Sequence, residues 1–331
     1  MRAHFLPFFL LTLLLFPFFS TADATQQPSF QQFVATLQKE ARQQGIQEKT
    51  IQKYLTGLKA PRTQALYDLH HQAQAHVSFQ QYVDTFITSD ILLKGRYYMK
   101  KYRTLLHKIE RRYHVQPQFI IALWGIETDY GTSTEHNAPI VTSLVTLAYQ
   151  HHRSHFYYDQ VMAALKILDH QVLPQQAIGT WDGGMGQASF EPTAYLQYAV
   201  DFDRDGFKNI WTSVPDILAS IANYLHANGW NGDQPWGIAV QLPTHFPKQL
   251  LGIHHKLSLQ RWRQLGVHPS QGKSLPAIAS SASVLVPNGT SGPAYLVFHN
   301  FDVLLRWNNT TFEGLTVGLL SDQMTAQSSH E

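Results

Sequence analysis

The chain has 331 residues, enough for a main domain with smaller subdomains; 44% are hydrophobic and 15% charged, which is typical of a globular protein. The formal net charge is +2 and no run of Lys and Arg forms a basic track, so the sequence argues against nucleic acid as a partner. There is no cysteine, which excludes disulfides and a cysteine-linked lipid anchor.

Residues 1–24 have the layout of a secretory signal peptide. Arg2 precedes an apolar stretch from Phe5 to Phe19, and Ala22-Asp23-Ala24 offers a small-residue cleavage site. An uncleaved anchor is the alternative, but this stretch contains two prolines and is shorter than the ~20 residues of a spanning helix. The sequence therefore predicts export, cleavage near Thr25 and a soluble mature protein without a membrane-spanning helix.

Residues 25–110 are predicted to form a helical N-terminal domain. Apolar residues recur at a spacing of three and four in the segment that begins at Phe30, and Gly45 is a plausible helix stop. Residues 89–115 are predicted to form one long helix. Pro117 then suits the first turn of the next helix.

A helical core is predicted over 111–235, followed by a region with β character. The core contains further predicted helices at 138–150, 155–170, 191–200 and 214–228, the last of them ended by Gly229. Over 236–322 the sequence predicts a small β-containing C-terminal part, with β-rich runs in 282–307 divided by a turn at 287–289. Residues 323–331 are predicted to be a flexible tail.

Glu127 ends an apolar run, "IALWGIETDYG", at residues 121–131. On a helix starting near Pro117 it shares the buried stripe of Phe119 and Leu123, close to a helix C-terminus with Gly131 as the expected cap. Desolvation and the negative end of the helix dipole should both raise its pKa, as a general acid requires. A Glu that pairs with a buried Arg or caps a backbone amide is the structural alternative.

Three glycines in "GTWDGGMGQASFEP" predict a loop whose backbone approaches another group closely: Gly183, Gly184 and Gly186. Aromatic residues accompany it, and flat rings with polar edges suit the faces of sugars. These aromatic residues are Trp181, Phe190, Tyr195 and Tyr198. An ordinary loop over an aromatic core is equally compatible with the pattern.

The segment "DFDRDGFKNIWT", residues 201–212, follows the spacing of a calcium-binding loop. The expected ligands are the side chains of Asp201, Asp203, Asp205 and Thr212 and the carbonyl of Phe207. Thr212 stands where a complete loop has a bidentate Glu, so a bound cation should be held weakly and serve structure. A solvated acidic turn is the alternative.

Other common site motifs are absent from the sequence. The 18 histidines include no His-Glu-x-x-His pattern, which disfavours a zinc site. Neither a Gly-x-Ser-x-Gly elbow nor a phosphate-binding loop occurs.

Five segments occur in the order found in one known family. They are "ALWGIETDYG", "NAPIVTSLVTLAY", "GGMGQASFEPTAYLQYAVDFDRDG", "IANYLHANGW" and "YLVFHNFDVLLRWN". Together they closely resemble the soluble and lipoprotein lytic murein transglycosylases of the B type, over residues 30–322. The resemblance implies a mainly α (α+β) fold, with a lysozyme-like helical core, an N-terminal helical domain and a small β-containing part.

The resemblance also implies an activity and a place. The family cleaves the β-1,4 bond between N-acetylmuramic acid and N-acetylglucosamine in peptidoglycan and forms a 1,6-anhydro ring, without a required cofactor. Its single catalytic acid and base corresponds to Glu127. A Gram-negative periplasm is implied, with peptidoglycan strands as the partner; proteins of cell-wall synthesis or division are candidate partners.

By the same resemblance, eight residues fall where the family lines its glycan groove: Thr180, Gln187, Ser189, Phe190, Tyr224, Trp307, Asn308 and Glu313. Three departures stand out. Ser189 replaces a Gln that contacts the saccharide, Glu191 replaces an apolar residue, and Glu313 replaces a Tyr. These changes put substrate affinity in doubt, although they leave the acid itself intact.

Two other functions remain open. A lysozyme-type hydrolase would need a second carboxylate to position water, and Asp129 is the nearest candidate, although on a helix it would face away from Glu127. A non-catalytic wall-binding protein that kept the fold is the other alternative. The chemistry of the product would decide among them.

Overall fold

The structure, a computed structural model, describes residues 27–70, 77–133, 137–151, 154–170, 173–271, 274–276, 280–289 and 292–326. The predicted signal peptide lies outside them. Within this part the helices are α1 (Phe30–Gln43), α2 (Glu48–Tyr54), α3 (Thr63–His70), α4 (Phe79–Phe86), α5 (Ser89–Lys101), α6 (Arg103–Tyr113), α7 (Pro117–Thr128), α8 (Ile140–Gln150), α9 (His155–Asp169), α10 (Pro192–Tyr198), α11 (Val214–Ala227), α12 (Leu259–Gln264), α13 (His299–Trp307) and α14 (Thr311–Thr325). The strands are β1 (Ala138–Pro139), β2 (Ile178–Gly179), β3 (Gly237–Gln241), β4 (Leu257–Ser258), β5 (His268–Pro269), β6 (Ser281–Leu285) and β7 (Ala294–Val297).

The N-terminal part is helical, as predicted. Ser29 begins α1 with a reciprocal capping box to Gln32, and Gly45 just beyond the helix takes a left-handed φ of 81°. The predicted single helix over 89–115 is wrong. Tyr102 leaves helical geometry, with φ −100° and ψ 18°, and divides the segment into α5 and α6. The Tyr102 ring packs on Trp124 of α7, with 6.3 Å between centroids, so the break lies against that helix.

Helix α7 lies at the centre of the molecule. Pro117 occupies its first turn, as predicted, and α5, α6, α11 and α14 pack around it. The helix ends in three successive left-handed residues, Asp129, Tyr130 and Gly131, with φ of 47°, 58° and 84°. The chain therefore turns two residues before the expected Gly131 cap, because Asp129 takes the C-cap position itself.

A five-stranded antiparallel sheet in the order β4-β6-β7-β3-β5 forms the C-terminal β part, which confirms the predicted β character after residue 236. Alternate residues of β7 face two different cores. Tyr295 and Val297 belong to the main helical core, whereas Ala294 and Leu296 pack in a smaller cluster around Trp262. The sheet thus connects the small cluster to the helical body.

The final helices correct two predictions. Residues 299–307, predicted to be part of a β-rich run, form α13, which carries a polar, solvent-exposed face. Helix α14 continues to Thr325, inside the predicted flexible tail, because Met324 is only 5% exposed against the main core. Since α14 packs on α4, α5 and α7, the end of the chain returns to the central helix.

Candidate active site

The carboxyl group of Glu127 lies in the last turn of α7, where it meets the returning C-terminal segment. Trp307 at the end of α13 donates its indole Nε1–H to Glu127 Oε1 over 2.6 Å, and Ser189 donates a second hydrogen bond. Burial raises the pKa of Glu127 to about 7, although its hydrogen-bond donors act in the opposite direction. Glu127 therefore exchanges its proton near neutral pH.

Glu313 lies in direct hydrogen-bond contact with Glu127. It occupies the first turn of α14, is 6% exposed, and accepts a hydrogen bond from the Asn308 side chain. Burial and the neighbouring charge of Glu127 raise the pKa of Glu313 well above its usual range. The site therefore contains a second carboxyl group beside the residue that the resemblance implies is the single catalytic acid and base.

An aromatic wall stands beside Glu127. The rings of Phe190 and Tyr224 lie with their centroids 5.4 Å and 4.8 Å from that of Trp307, and the Tyr198 ring lies 4.8 Å from that of Tyr224. Tyr224 donates its hydroxyl to the backbone carbonyl of Arg306, which holds the end of α13 against α11. Rings with this arrangement offer apolar surface of the kind that packs on sugar rings.

The loop from 180 to 190 brings Ser189 to Glu127. Paired backbone hydrogen bonds of 2.8 and 3.0 Å between Met185 and Phe190 close it, and Ser189 takes a left-handed φ of 47°. A Cβ on Gly184 would lie 2.6 Å from Thr180 Oγ1, and one on Gly179 would lie 2.1 Å from Gly184 O. The glycines thus permit close packing of the loop on its own chain.

Two of the predicted groove residues are engaged within the protein. Gln187 accepts from Trp124 Nε1 at 3.0 Å and donates to the Trp211 carbonyl at 2.8 Å, so its amide ties the loop to α7. Thr180 accepts from the Gly184 amide at 2.6 Å and donates to Asp182. Both positions favour a supporting role over direct contact with a ligand.

The other nearby acids are arranged differently from the Glu127–Glu313 pair. Asp129 forms an ion pair with Lys94 at 3.0 Å and accepts from Thr132, so its carboxylate is already occupied. Asp182 is exposed, and its charge contributes to the raised pKa of Glu127. Glu191 is exposed at the N-cap of α10, with Gln160 Nε2 at 3.4 Å.

The 201–212 loop brings together the three aspartates expected to be ligands. One carboxylate oxygen from each of Asp201, Asp203 and Asp205 lies within 4.8 Å of the others. Gly206 has a φ of 94° and donates its amide to Asp201 at 2.9 Å, which folds the turn tightly. Thr212 is exposed, and its hydroxyl oxygen accepts a hydrogen bond from the Asn209 side chain at 2.7 Å. This hydroxyl could offer a cation only one neutral oxygen ligand.

Asp216, which the sequence reasoning missed, organises this loop from beneath. It is fully buried and accepts backbone hydrogen bonds from Phe202 at 2.7 Å and Asn209 at 2.8 Å. Its place in an apolar helix four residues after Thr212 is the sequence signal that marks it. The aromatic Tyr195 packs on Trp211 under the same loop, away from the wall at Trp307.

The structure thus gathers Ser189, Phe190, Tyr224, Trp307, Asn308 and Glu313 around Glu127, with Thr180 and Gln187 supporting the loop behind them. The chain segments that supply these groups are far apart in sequence. No helix among the described residues combines the length and apolar character needed to cross a bilayer.

Comparison with known proteins identifies relatives for most of the chain. Over 240 residues it is 31% identical to membrane-bound lytic murein transglycosylase B of Escherichia coli strain K12; the match covers 72% of this chain and 64% of that protein. The chain thus spans less than two thirds of that relative's length.

Solved structures share the fold. SltB3 from Pseudomonas aeruginosa, in complex with NAG-NAM-pentapeptide, superposes with a TM-score of 0.82 at 37% identity, covering 89% of this chain and 79% of that one. Escherichia coli Slt35, in complex with calcium, superposes with a TM-score of 0.74 at 26% identity, covering 91% and 94%. These likenesses confirm the lysozyme-like, mainly helical fold class. The sequence profile of the Transglycosylase SLT domain matches residues 29–322, and the chain therefore belongs to that family.

Proposed function

We propose that this protein is a lytic transglycosylase that cleaves the β-1,4 bond between N-acetylmuramic acid and N-acetylglucosamine in peptidoglycan and leaves a 1,6-anhydro ring. One observation carries the proposal: Glu127 lies partly buried beside an aromatic wall, and burial raises its pKa to about 7. The substrate class is supported by the family and by the saccharide-peptide bound to SltB3.

In the proposed reaction Glu127 acts twice. It first protonates the oxygen of the bond that breaks, and then, as a carboxylate, takes the proton from the sugar's own 6-hydroxyl as that oxygen closes the ring. A pKa near neutrality suits both steps, because acid and base forms are each accessible. Trp307 and Ser189 donate hydrogen bonds to the carboxylate that forms between the steps.

The second carboxyl does not make the site a conventional hydrolase. In glycosidases with two catalytic carboxyls the groups lie about 5–5.5 Å or about 6.5–9.5 Å apart, which leaves room for the sugar or a water. Glu313 instead lies in direct side-chain contact with Glu127, which leaves no space between the two carboxyl groups for a sugar or a water. Asp129, held by Lys94, offers no water-positioning carboxylate either.

We propose that Phe190, Tyr224 and Trp307 form an aromatic platform for the glycan, with Ser189 and Asn308 at its polar edge. The three rings are in mutual contact and the last of them also touches Glu127. A saccharide packed there would place a bond next to the acid. Trp307 would then both stack on the saccharide and donate a hydrogen bond to the catalytic acid.

We further propose that the 201–212 loop binds Ca²⁺ weakly and that the ion stabilises the fold. Three carboxylates and a hydroxyl suit a hard cation, and Asp201, Asp203, Asp205, Thr212 and the carbonyl of Phe207 would hold it. The relative Slt35 has been solved in complex with calcium. The ion would take no part in the cleavage, for which Glu127 supplies the proton transfers.

Residues 1–24 support export to the periplasm, followed by cleavage near Thr25. The wall-lytic activity proposed here requires that location. N-terminal sequencing of the protein recovered from the periplasm tests it, and retention of the apolar stretch on membrane-bound protein would refute cleavage.

The activity is tested by incubating the purified mature protein with purified sacculi and determining the masses of the released muropeptides. We expect products lighter by one water than the corresponding reducing sugars, which is the mark of an anhydro ring. Reducing-end products would instead identify a hydrolase. Binding to sacculi without release would identify a wall-binding protein.

A further inference from the structure

We propose that Glu313 is a positioning residue that holds a proton and donates it in a hydrogen bond to the Glu127 carboxylate. This inference rests on the proposed function, in which Glu127 must become a carboxylate between two proton transfers.

The donors and acceptors available to Glu127 and Glu313 require a shared proton between the two carboxyl groups. An ionised carboxylate can only accept, so two carboxylates cannot hydrogen-bond directly to each other. The Trp307 indole and the Asn308 amide nitrogen can only donate, and each points to a different member of the pair. The contact between Glu127 and Glu313 therefore needs a proton on one of them.

The surroundings favour Glu313 as the holder. Glu127 receives donors from Trp307 and Ser189, which stabilise its charged form, and it is partly accessible. Glu313 is 6% exposed and receives only the Asn308 donor among the contacts identified. A carboxylate is more stable where it receives more hydrogen bonds and contacts solvent, so Glu127 is the better position for the negative charge.

The helix dipoles favour the proton on Glu127 rather than on Glu313, but their effect on the two pKa values is smaller. Glu313 lies at the N-terminal turn of α14, which favours negative charge, and Glu127 lies at the C-terminal turn of α7, which disfavours it. At a partly buried helix end such an effect reaches about 2 kcal/mol, which is about 1.5 pKa units. Burial of Glu313 and its contact with Glu127 both raise its pKa well above the usual range, which outweighs the dipole.

Two other groups face the pair. The exposed carboxylate of Asp182 raises the pKa of Glu127. Tyr82 on α4 is 2% exposed, and its hydroxyl has no hydrogen-bond partner among the described residues. Burial, and after it the charges of both glutamates, raise the pKa of Tyr82. Tyr82 remains neutral wherever the pair titrates, so it adds no charge that would reverse the assignment.

The first test compares pH profiles of turnover for the wild type, Glu313→Gln and Glu313→Leu. Gln keeps a neutral donor, so the alkaline limb should stay within about 0.3 unit of the wild type, whatever the maximal rate. Leu removes the hydrogen-bond donor, so the pKa of Glu127 should rise. The alkaline limb of the profile should then move to higher pH by about 1 to 2 pH units. If Glu313 were ionised, both variants would remove a repelling charge and move the limb down, which would overturn the proposal.

Asp322→Asn is the matched control. Asp322 lies on the same helix, has a pKa raised to about 6 by burial and accepts from an indole, that of Trp236. It has no contact with Glu127, so its replacement should leave the limb in place. A shift in this variant equal to that of Glu313→Leu would show that the limb reports general damage to α14.

A second test requires no turnover. In a chain labelled with carbon-13 at the Glu side-chain carboxyl, loss of a signal in Glu127→Gln or Glu313→Gln assigns each resonance. We expect the Glu127 signal to titrate near pH 7 and the Glu313 signal to remain at its protonated position until Glu127 has titrated, because burial and the charge of Glu127 raise the pKa of Glu313 well above its usual range. If Glu313 lost its proton at a lower pH than Glu127, the proposal would be rejected even if the product assay supported transglycosylation. If Glu127 lost its proton first but the protein released no muropeptides, only the proposed function would be rejected.

Discussion

The Glu127–Glu313 pair and the 201–212 loop both bring carboxyl groups together, and they relieve the mutual repulsion in different ways. In the pair Glu313 is buried and Glu127 is partly buried, and their neighbours are side-chain donors: an indole, a hydroxyl and an amide. The three aspartates of the loop lie at the surface and accept from backbone amides of their own turn. Burial favours uptake of a proton, whereas exposure leaves charge that a cation can neutralise.

This difference indicates that the Glu127–Glu313 pair is suited to proton transfer and the 201–212 loop to binding an ion. A pKa of about 7 lets Glu127 exchange a proton near neutral pH. The loop aspartates instead supply several hard oxygens within 4.8 Å, the arrangement that a structural ion needs. We therefore expect changes in the pair to act on turnover and changes in the loop to act on stability.

Glu127→Gln should have the largest effect. It removes the proposed proton donor while keeping the shape of the side chain and the acceptor for Trp307, so turnover should fall by about 10³-fold or more. Release of soluble muropeptides measures it, with Asp129→Asn as the control that should retain turnover. If more than a tenth of the wild-type rate survived in Glu127→Gln, the assignment of Glu127 would be wrong.

Asp216→Ala should destabilise the loop without involving the pair. The change leaves the backbone amides of Phe202 and Asn209 buried without their acceptor, at a cost of about 3 kcal/mol in the free energy of unfolding. Denaturant unfolding measures this cost. The exposed Asp233→Ala is the control, with a change within about 0.5 kcal/mol; equal losses in both variants would contradict the organising role of Asp216.

Trp307→Phe keeps an aromatic ring but removes the N–H that Glu127 accepts. Because this hydrogen bond lowers the pKa of Glu127, its loss should raise that pKa and move the alkaline limb of turnover upward by about one unit. Tyr198→Phe, which keeps its ring in the same wall, should leave the limb in place. An unmoved limb in Trp307→Phe would show that the indole packs without tuning the acid.

Calcium should give the smallest effect, a rise of a few degrees in melting temperature at millimolar concentration. The loop lacks the bidentate Glu of a complete site, so weak binding in the range of about 10⁻⁴–10⁻³ M is expected. Asp203→Ala should abolish the rise and Asp233→Ala should preserve it, while a chelator should leave turnover intact at moderate temperature. Loss of turnover on chelation without unfolding would give the ion a catalytic role instead.

Much of the fold could be predicted because it depends on local signals. Pro117, Gly45 and Gly229 mark helix ends through their own backbone preferences, and the structure has ends at those places. The division at Tyr102 could not be predicted, since Tyr is compatible with a helix and its contact with Trp124 of α7 comes from a segment distant in the sequence. The helix over 299–307 was also missed, because a short apolar run suits either element.

The site was predicted in its parts but not in its contacts. The motif around Glu127 and the residues Ser189 and Trp307 identified one region, and the structure places them together. Contact between Glu127 and Glu313 joins positions 186 residues apart, and no local pattern reports which face of α14 meets α7. Gln187 was predicted to line the glycan groove, and its amide has two internal partners that the sequence did not indicate.

The central claim is that Glu127 works without a water nucleophile, and digestion of purified sacculi in water enriched in heavy oxygen tests it most directly. Ring closure by the sugar's own 6-hydroxyl uses no solvent oxygen. The wild-type protein should therefore release anhydro muropeptides that carry no heavy oxygen, and Glu127→Gln should release almost none. Reducing-end muropeptides carrying one heavy oxygen from the solvent would contradict the account and show that the site activates water.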